Sequence, residues 1–365
     1  MIDCPPLLAI SAKSQPSQYG HADYHWRVQR PLARLRERGV DAAECWLDAD
    51  ERPTVSPEGR VVVLQRVVKG GGEDEVRSWV RSLRDSGALA VVFEIDDDEI
   101  SPACLEWMRA AGGLESVGVA RLEAERLALT QTLQACDAVT VSTEPLAEVV
   151  RQYTDRPVLV VPNSIDVAWF RERLMGRPEW HGERLSIGWA GGRRPDADLE
   201  PMAVAWGRIA RRFPAVRFVV AGWQPDCIYR EVDDLDRIIR VPWRALDDWP
   251  AVMQVDIGCT PLADTAFNRA KSPIKLWEYG LAGAAVVASP TVYMDEVAHG
   301  ASAFLAETAD EWEAMLALLI GDDMVRLNMA AGLRAHIGEH HRLQDSLAQR
   351  AAAYREIAAG VGVTA

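Results

Sequence analysis

The segment Lys271-Ser272-Pro273-Ile274-Lys275-Leu276-Trp277-Glu278-Tyr279 holds two cations, a hydroxyl and a carboxylate within nine residues. Ser272 is a good N-cap residue and Pro273 suits a first helical position, so a helix is predicted to open here after a loop. The free N–H groups and positive dipole end of such a helix hold anions. Lys275 in the first turn opposes that dipole by roughly 0.3–1 kcal/mol, a penalty that a bound phosphate reverses. Glu278 follows one turn later on the same side. A carboxylate there can accept both hydroxyls of a ribose. The same spacing also fits an ordinary surface pair of Lys275 with Glu278 and a solvated Lys271.

A second concentration of charge is Phe93-Glu94-Ile95-Asp96-Asp97-Asp98-Glu99, with five carboxylates in six positions at the end of an apolar run. Like charges this close repel, and their titrations couple. Three readings stand together. The run is a solvated, helix-capping turn before Pro102; or Asp97 or Asp98 serves hydroxyl groups or acts as a general base; or Asp96–Asp98 hold a hard cation such as Mg or Mn. Elsewhere, Gly20 and His21 follow the first apolar run, where a glycine turn permits close backbone approach. His25 and Arg27 lie on the next helical pattern and face either a cleft or solvent. His336 and His340 form an i, i+4 pair beside His341 that fits either a metal site or a solvated helix end. Among 13 tryptophans, Trp189 and Trp243 are candidates to stack on a base or sugar. Gly70-Gly71-Gly72 lacks the following Lys-Ser/Thr of a P-loop.

The elements that must position these groups alternate. Short β-branched runs at 7–11, 61–67, 90–95, 138–142 and 158–161 read as buried strands. Amphipathic stretches at 23–38, 73–86, 122–135 and 145–153 separate them. A charged, Trp- and Pro-containing connection covers 166–184. A second series follows, with strands at 185–190, 216–221, 238–241, 256–260, 285–288 and 303–305. Its helices are expected at 199–212, 246–253, 273–281, 310–319 and 323–336. The tail at 344–357 carries a helical apolar stripe that must pack on another surface, in the expected arrangement the first domain. The pattern predicts an α/β protein of two Rossmann-like, doubly wound domains facing across a cleft, at 1–165 and 185–340, with a C-terminal helix at 341–365. Ligands of such sheets sit at the carboxyl ends of the strands, here between the domains.

At 365 residues, 48% hydrophobic and 26% charged, the chain is long and apolar enough for two packed domains and is not disordered. No apolar run reaches the length of a membrane span, and no basic leader precedes the first apolar stretch. A net charge of −14 disfavours nucleic acid as the main partner. The six scattered cysteines contain no CxxC pair, which fits a reduced, cytoplasmic protein.

The segment 256–289 resembles the donor-binding signature of the retaining glycosyltransferases of the GT-B fold, family 4 and its relatives. In these a loop leads to a helix carrying a Glu and then to a Gly-Xaa-Xaa-Val-Val-Ala-Ser strand, here Glu278 and Gly283-Ala284-Ala285-Val286-Val287-Ala288-Ser289. Ile187-Gly188-Trp189-Ala190-Gly191-Gly192 is similar to the first strand and glycine turn of the nucleotide domain. Val161-Pro162-Asn163-Ser164-Ile165-Asp166 is similar to the family's hinge, and 24–39 to its first helix. The resemblance implies that Glu278 binds ribose hydroxyls and that Lys275 and the amides near Ser272 hold a diphosphate. It also implies that the Gly20 turn approaches diphosphate or acceptor.

Three departures shift those roles. Ala270 stands where many members carry a Glu that contacts the transferred sugar, leaving Asp264, Thr265 or Asn268 as substitutes. Asp198 and Leu199 occupy the places of a usual Lys, so Arg193 or Arg194 with Lys275 and Lys271 must offset the diphosphate. Asp97 or Asp98 stands where a His often faces the sugar.

The implied activity is transfer of a sugar from a nucleoside-diphosphate sugar, UDP- or GDP-linked, with retention and without a required metal. The acceptor would be a glycan, a lipid-linked sugar, a protein or a small molecule. A non-catalytic GT-B-like module that binds nucleotide or glycan, or a sugar-nucleotide epimerase, are the alternatives.

Overall fold

The computed structural model describes residues 2–11, 22–47, 52–67, 69, 71–112, 116–174, 176, 178, 180 and 184–363. Gly20 and His21 lie outside the described residues. Among these, no helix is long and apolar enough to cross a membrane.

The chain builds two six-stranded sheets. The first contains β1 (Leu7–Ser11), β2 (Ala42–Cys45), β3 (Val61–Gln65), β4 (Ala90–Ile95), β5 (Ala138–Val141) and β6 (Val158–Val160), in the spatial order β2-β1-β3-β4-β5-β6. The second contains β7 (Ser186–Gly191), β8 (Arg217–Gly222), β9 (Ile238–Val241), β10 (Ile257–Thr260), β11 (Ala285–Ala288) and β12 (Phe304–Leu305), in the order β12-β11-β10-β7-β8-β9. Every pairing is parallel. Parallel strands need helical crossovers, which cover both faces and bury the strands from either side. β1, β3, β4 and β5 are accordingly buried along their whole length. β2 has no counterpart among the expected strands, because Ala42-Ala43-Glu44-Cys45 shows neither a β-branched run nor alternation.

Register sets which groups meet at the sheet ends. Gln65 pairs with Glu94, and Ser11 with Gln65. Arg66, just beyond β3, therefore falls opposite Ile95, one residue short of Asp96, whose carboxylate lies 3.7 Å from the Arg66 guanidinium. In the second sheet Gly191 pairs with Gly222. Gly222 has φ +84, and a Cβ there would lie 2.5 Å from the Gly191 carbonyl oxygen and 3.2 Å from the Trp243 ring. Only glycine permits that approach.

The helix Ile274–Ala282 follows β10 and ends on Gly283 at φ +92, a left-handed C-terminal turn. Pro273 occupies the N-cap position, with no side-chain cap. The expected cap from Ser272 does not form. Its Oγ instead accepts a 2.7 Å hydrogen bond from Asn163 Nδ2, because Asn163 of the crossing segment lies close enough to take it.

The chain crosses between the units twice, and the crossings pair. Ile165 N donates to His341 O at 2.9 Å, and Leu343 N to Ile165 O at 3.0 Å. Asp166 anchors this crossing. It caps Trp169 N at 3.2 Å and accepts from Arg30 Nε at 3.0 Å and Arg34 Nε at 2.8 Å. Burial pushes its carboxyl pKa up, but the bonds from Arg34 and Arg30 outweigh this and hold it below the usual range. The last helix, Leu343–Val363, lays Leu343, Leu347, Tyr354 and Ile357 against Leu7, Ala9, Val28 and Leu32 of the first unit.

Candidate functional site

A cleft of about 370 Å³ lies between the carboxyl ends of the two sheets. Asp23, Asp96, Asp97 and Asn163 line it from the first unit. Gly191, Gly192, Arg194, Arg244, Lys271, Ser272 and Lys275 line it from the second, with Trp189, Trp243 and Trp249 between them. Its walls differ in sign: carboxylates on one side, cations on the other.

On the cationic wall, Lys275 sits in the first turn of Ile274–Ala282. Its Nζ is 2.7 Å from Glu278 Oε2 and 5.0 Å from the centre of the Trp249 ring. Glu278 is not a surface residue. Its side chain is 2% exposed and stands behind Lys275, off the cleft lining. Arg194 lies over the Trp189 ring at 5.4 Å, and its Nε donates to Gly192 O at 3.4 Å. Among the described residues no carboxylate forms an ion pair with it, and burial lowers its pKa. Lys271 reaches across to Asp97 Oδ1 at 3.2 Å and lies over the Phe267 ring at 4.3 Å. Trp243, 44% exposed, stacks on Trp249 with ring centroids 5.5 Å apart.

The acidic wall is a network around Arg66. This residue has φ +52, an unusual left-handed backbone for a side-chain-bearing residue. Its guanidinium bonds Asp23 Oδ2 at 2.6 Å and Glu99 Oε2 at 2.8 Å and lies 3.7 Å from Asp96 Oδ1. Burial raises the Asp96 pKa to about 7; Arg66 opposes the rise, and Asp97 and Asp23 reinforce it. Asp96 is thus part-ionised near neutrality, the state suited to moving a proton.

The acidic run divides. Asp96 and Asp97 face the cleft. Asp98 is buried in the turn, where Oδ1 accepts from Ser101 N at 2.9 Å and Ile100 N at 3.3 Å, and Oδ2 accepts from Ser101 Oγ. Glu94 is also internal, bonded to Arg27 Nε at 2.6 Å and to Thr140 Oγ1. Arg27 continues to Asn163 Oδ1 at 3.0 Å, and Asn163 continues to Ser272. Both oxygens of Asp98 are committed to the cap, and cations already face Asp96 and Asp97, so the run does not fit a hard metal ion.

The remaining candidates lie off the cleft lining. Arg193 is exposed, and its Nε donates to Ala111 O across the units at 3.2 Å. Asp264 is exposed and paired with Arg269 at 2.6 Å. Asn268 is buried, its Nδ2 donating to Asp198 Oδ1 at 2.7 Å and to Ala263 O at 3.0 Å. Asp198 also accepts from Trp107 Nε1 of the first unit at 3.3 Å. Ala270 is packed into the first unit's core, and its carbonyl accepts from Thr143 Oγ1 at 2.8 Å. A contact between units therefore occupies the position where the resemblance leads one to expect a Glu.

Asp23, Arg66, Arg244 and Trp249 were not among the sequence candidates. For Arg66 a signal existed: it stands at the carboxyl end of an expected buried strand.

No family model matches the chain, and no curated protein matches it. Solved structures do. Sucrose-phosphate synthase from Thermosynechococcus elongatus aligns with 97% of this chain and 99% of its own, at 12% identity and TM-score 0.64. HepE from Anabaena in complex with UDP-glucose aligns with 96% of this chain and 99% of its own, at 14% identity and TM-score 0.63. A variant of TarM from S. aureus, in complex with fondaparinux, α-GlcNAc-glycerol and UDP, aligns with 80% of this chain at 11% identity and TM-score 0.55. The matched part is 55% of TarM, so this chain spans about half of TarM's length. Two parallel six-stranded sheets facing across a cleft, with these neighbours, make the fold GT-B.

Proposed function

We propose that this chain is a glycosyltransferase that takes a nucleoside-diphosphate sugar in the cleft and transfers the sugar, with retention, to a hydroxyl-bearing acceptor. The observation that carries the reading is the division of one cleft into a cationic and an acidic wall. A diphosphate fits the first, where Arg194 forms no ion pair among the described residues and the Ile274–Ala282 helix has no side-chain cap. Sugar and acceptor hydroxyls fit the second. UDP is the first donor base to test, since HepE and TarM are seen with UDP or UDP-glucose.

Binding requires the Lys275–Glu278 pair to open. Lys275 turns to the diphosphate, and Glu278 takes the ribose hydroxyls, which replace its lost partner. Trp243 offers its exposed ring to the base. As the bond from the anomeric carbon to the diphosphate oxygen breaks, Lys275 and Arg194 stabilise the charge that develops there. Asp96 and Asp97 orient the incoming hydroxyl, and Asp96 can hold its proton.

Ala270 and Asp198 favour a second reading, a binding module of the same fold, because two usual polar positions are spent on holding the units together. The test is titration with UDP, GDP and their sugars, followed by assay for free nucleotide. Glu278→Ala is expected to weaken nucleotide binding about tenfold or more, the worth of a hydrogen bond to a charged group. Binding without release of nucleoside diphosphate supports the binding module. Acceptor-free isomerisation of a UDP-sugar supports an epimerase. Unchanged affinity in Glu278→Ala sinks the donor assignment.

A further inference from the structure

We propose that Glu296, His336 and His341 bind a divalent transition-metal ion of the zinc class where the chain crosses between the two units. One donor atom from each of these residues lies within 4.8 Å of the others. His341 Nε2 is 3.4 Å from His336 Nε2 and 3.1 Å from Glu296 Oε2. A tetrahedral ion with metal–ligand bonds of about 2.0–2.1 Å holds neighbouring donors about 3.3–3.4 Å apart. Both distances from His341 Nε2 are close to that spacing, and His336 and Glu296 offer donor atoms within 4.8 Å of each other.

Protons alone serve this cluster poorly. If His341 Nε2 carries one, a single N–H must satisfy both the carboxylate and the facing His336 nitrogen. If it carries none, its lone pair faces a carboxylate. A cation at the centre accepts all three lone pairs. Two imidazoles and one carboxylate select zinc and its neighbours over magnesium or calcium, which prefer oxygen alone.

The ligands are held by different elements. The helix Asp323–His340 carries His336, and the chain leaves it at His341, with φ −121. That turn brings His341 Nε2 to 3.4 Å from His336 Nε2, while the ring of His340, the helical i, i+4 partner, packs 4.8 Å from the His336 ring. The His341 ring stacks on Trp277 at 4.3 Å, and its carbonyl accepts from Ile165 N. Such outer contacts orient a metal-binding imidazole. His341 is 17% and Glu296 27% exposed, and both line a solvent-open pocket that leaves room for a water as fourth ligand. Glu296 and His336 lie beyond β11, whereas His341 begins the return to the first unit. The ion therefore staples the crossing to the second unit. This inference goes beyond sugar transfer and does not rest on it.

The test uses chelator-treated full-length protein, titrated with Zn²⁺ by calorimetry and with Co²⁺ by visible absorption. The expected result is one ion per chain, intense Co²⁺ bands of a low-coordinate site, and a Tm raised on saturation, since a ligand of the native state stabilises it. His336→Ala and Glu296→Gln are each expected to weaken binding about tenfold or more, by loss of one of three ligands. His341→Phe keeps a ring on Trp277 and removes the donor, so it separates loss of metal from loss of fold. His340→Ala is expected to bind as the wild type does. Absence of binding, equal binding by the wild type and the His336→Ala/Glu296→Gln double variant, or loss of binding in His340→Ala overturns the proposal.

Discussion

The two walls of the cleft are charged in opposite ways and organised in opposite ways. On the acidic wall Arg66 is already shared among Asp23, Glu99 and Asp96, and Lys271 is held by Asp97. That wall is a network of four carboxylates sharing two cations, one of them Lys271 from the opposite wall, and burial raises the Asp96 pKa there against the pull of Arg66. On the cationic wall Arg194 forms no ion pair among the described residues, and Lys275 has one buried carboxylate behind it. A wall whose Arg194 forms no ion pair among the described residues suits an anion from outside; a wall of carboxylates sharing two cations suits hydroxyl donors and holds a proton on Asp96. In the proposed reading, this difference gives the phosphates to one unit and the hydroxyls to the other.

The largest effect should come from removing charges of the cationic wall. Arg194→Ala and Lys275→Ala are each expected to lower kcat about 10²–10³-fold, the range for loss of one group that stabilises developing negative charge. Lys275→Ala also strands the Glu278 carboxylate, so Lys275→Ala with Glu278→Gln is the control that keeps the fold. A rate loss confined to Asp96 variants would break the comparison.

The next effect is in pH. The folded Asp96 keeps its proton up to about pH 7, whereas the unfolded chain loses it near the ordinary value of 3.8. Between those values the native state binds more protons, so this residue's contribution makes stability fall as pH rises through that window. Asp96→Asn should remove that slope in urea melts at pH 5 and 8; with Asp96 as proton acceptor, kcat is expected to rise through about pH 7 in the parent protein and not in this variant. The smallest effect sharpens the boundary of the site. The Asp264–Arg269 pair is exposed and outside the cleft, so Asp264→Ala should change turnover less than about twofold and stability by no more than about 1 kcal/mol.

Much of this was legible in the residues. The buried strands, the helix after the lysine loop and the one-turn spacing of Lys275 from Glu278 follow from local periodicity. The burial of Glu278 did not, because helical spacing says which residues share a face and not what covers that face. The acidic run was visible, but its division was not. Asp98 turns inward because Ser101 and Ile100 offer it donors. Asp96 sits beside Arg66 because β3 and β4 pair in one register.

What the sequence determined by itself is the α/β alternation, the two sheets and the places where strands hand over to helices, since each depends on neighbours a few residues apart. Tertiary structure alone decided that Ser272 bonds Asn163 rather than capping its helix, that Ala270 closes a contact between units, and that His341 meets Glu296 and His336. Ser272 meets Asn163 at a separation of 109 residues. Partners so far apart are chosen by sheet register and by the packing of one unit on the other, and neither leaves a local periodic trace.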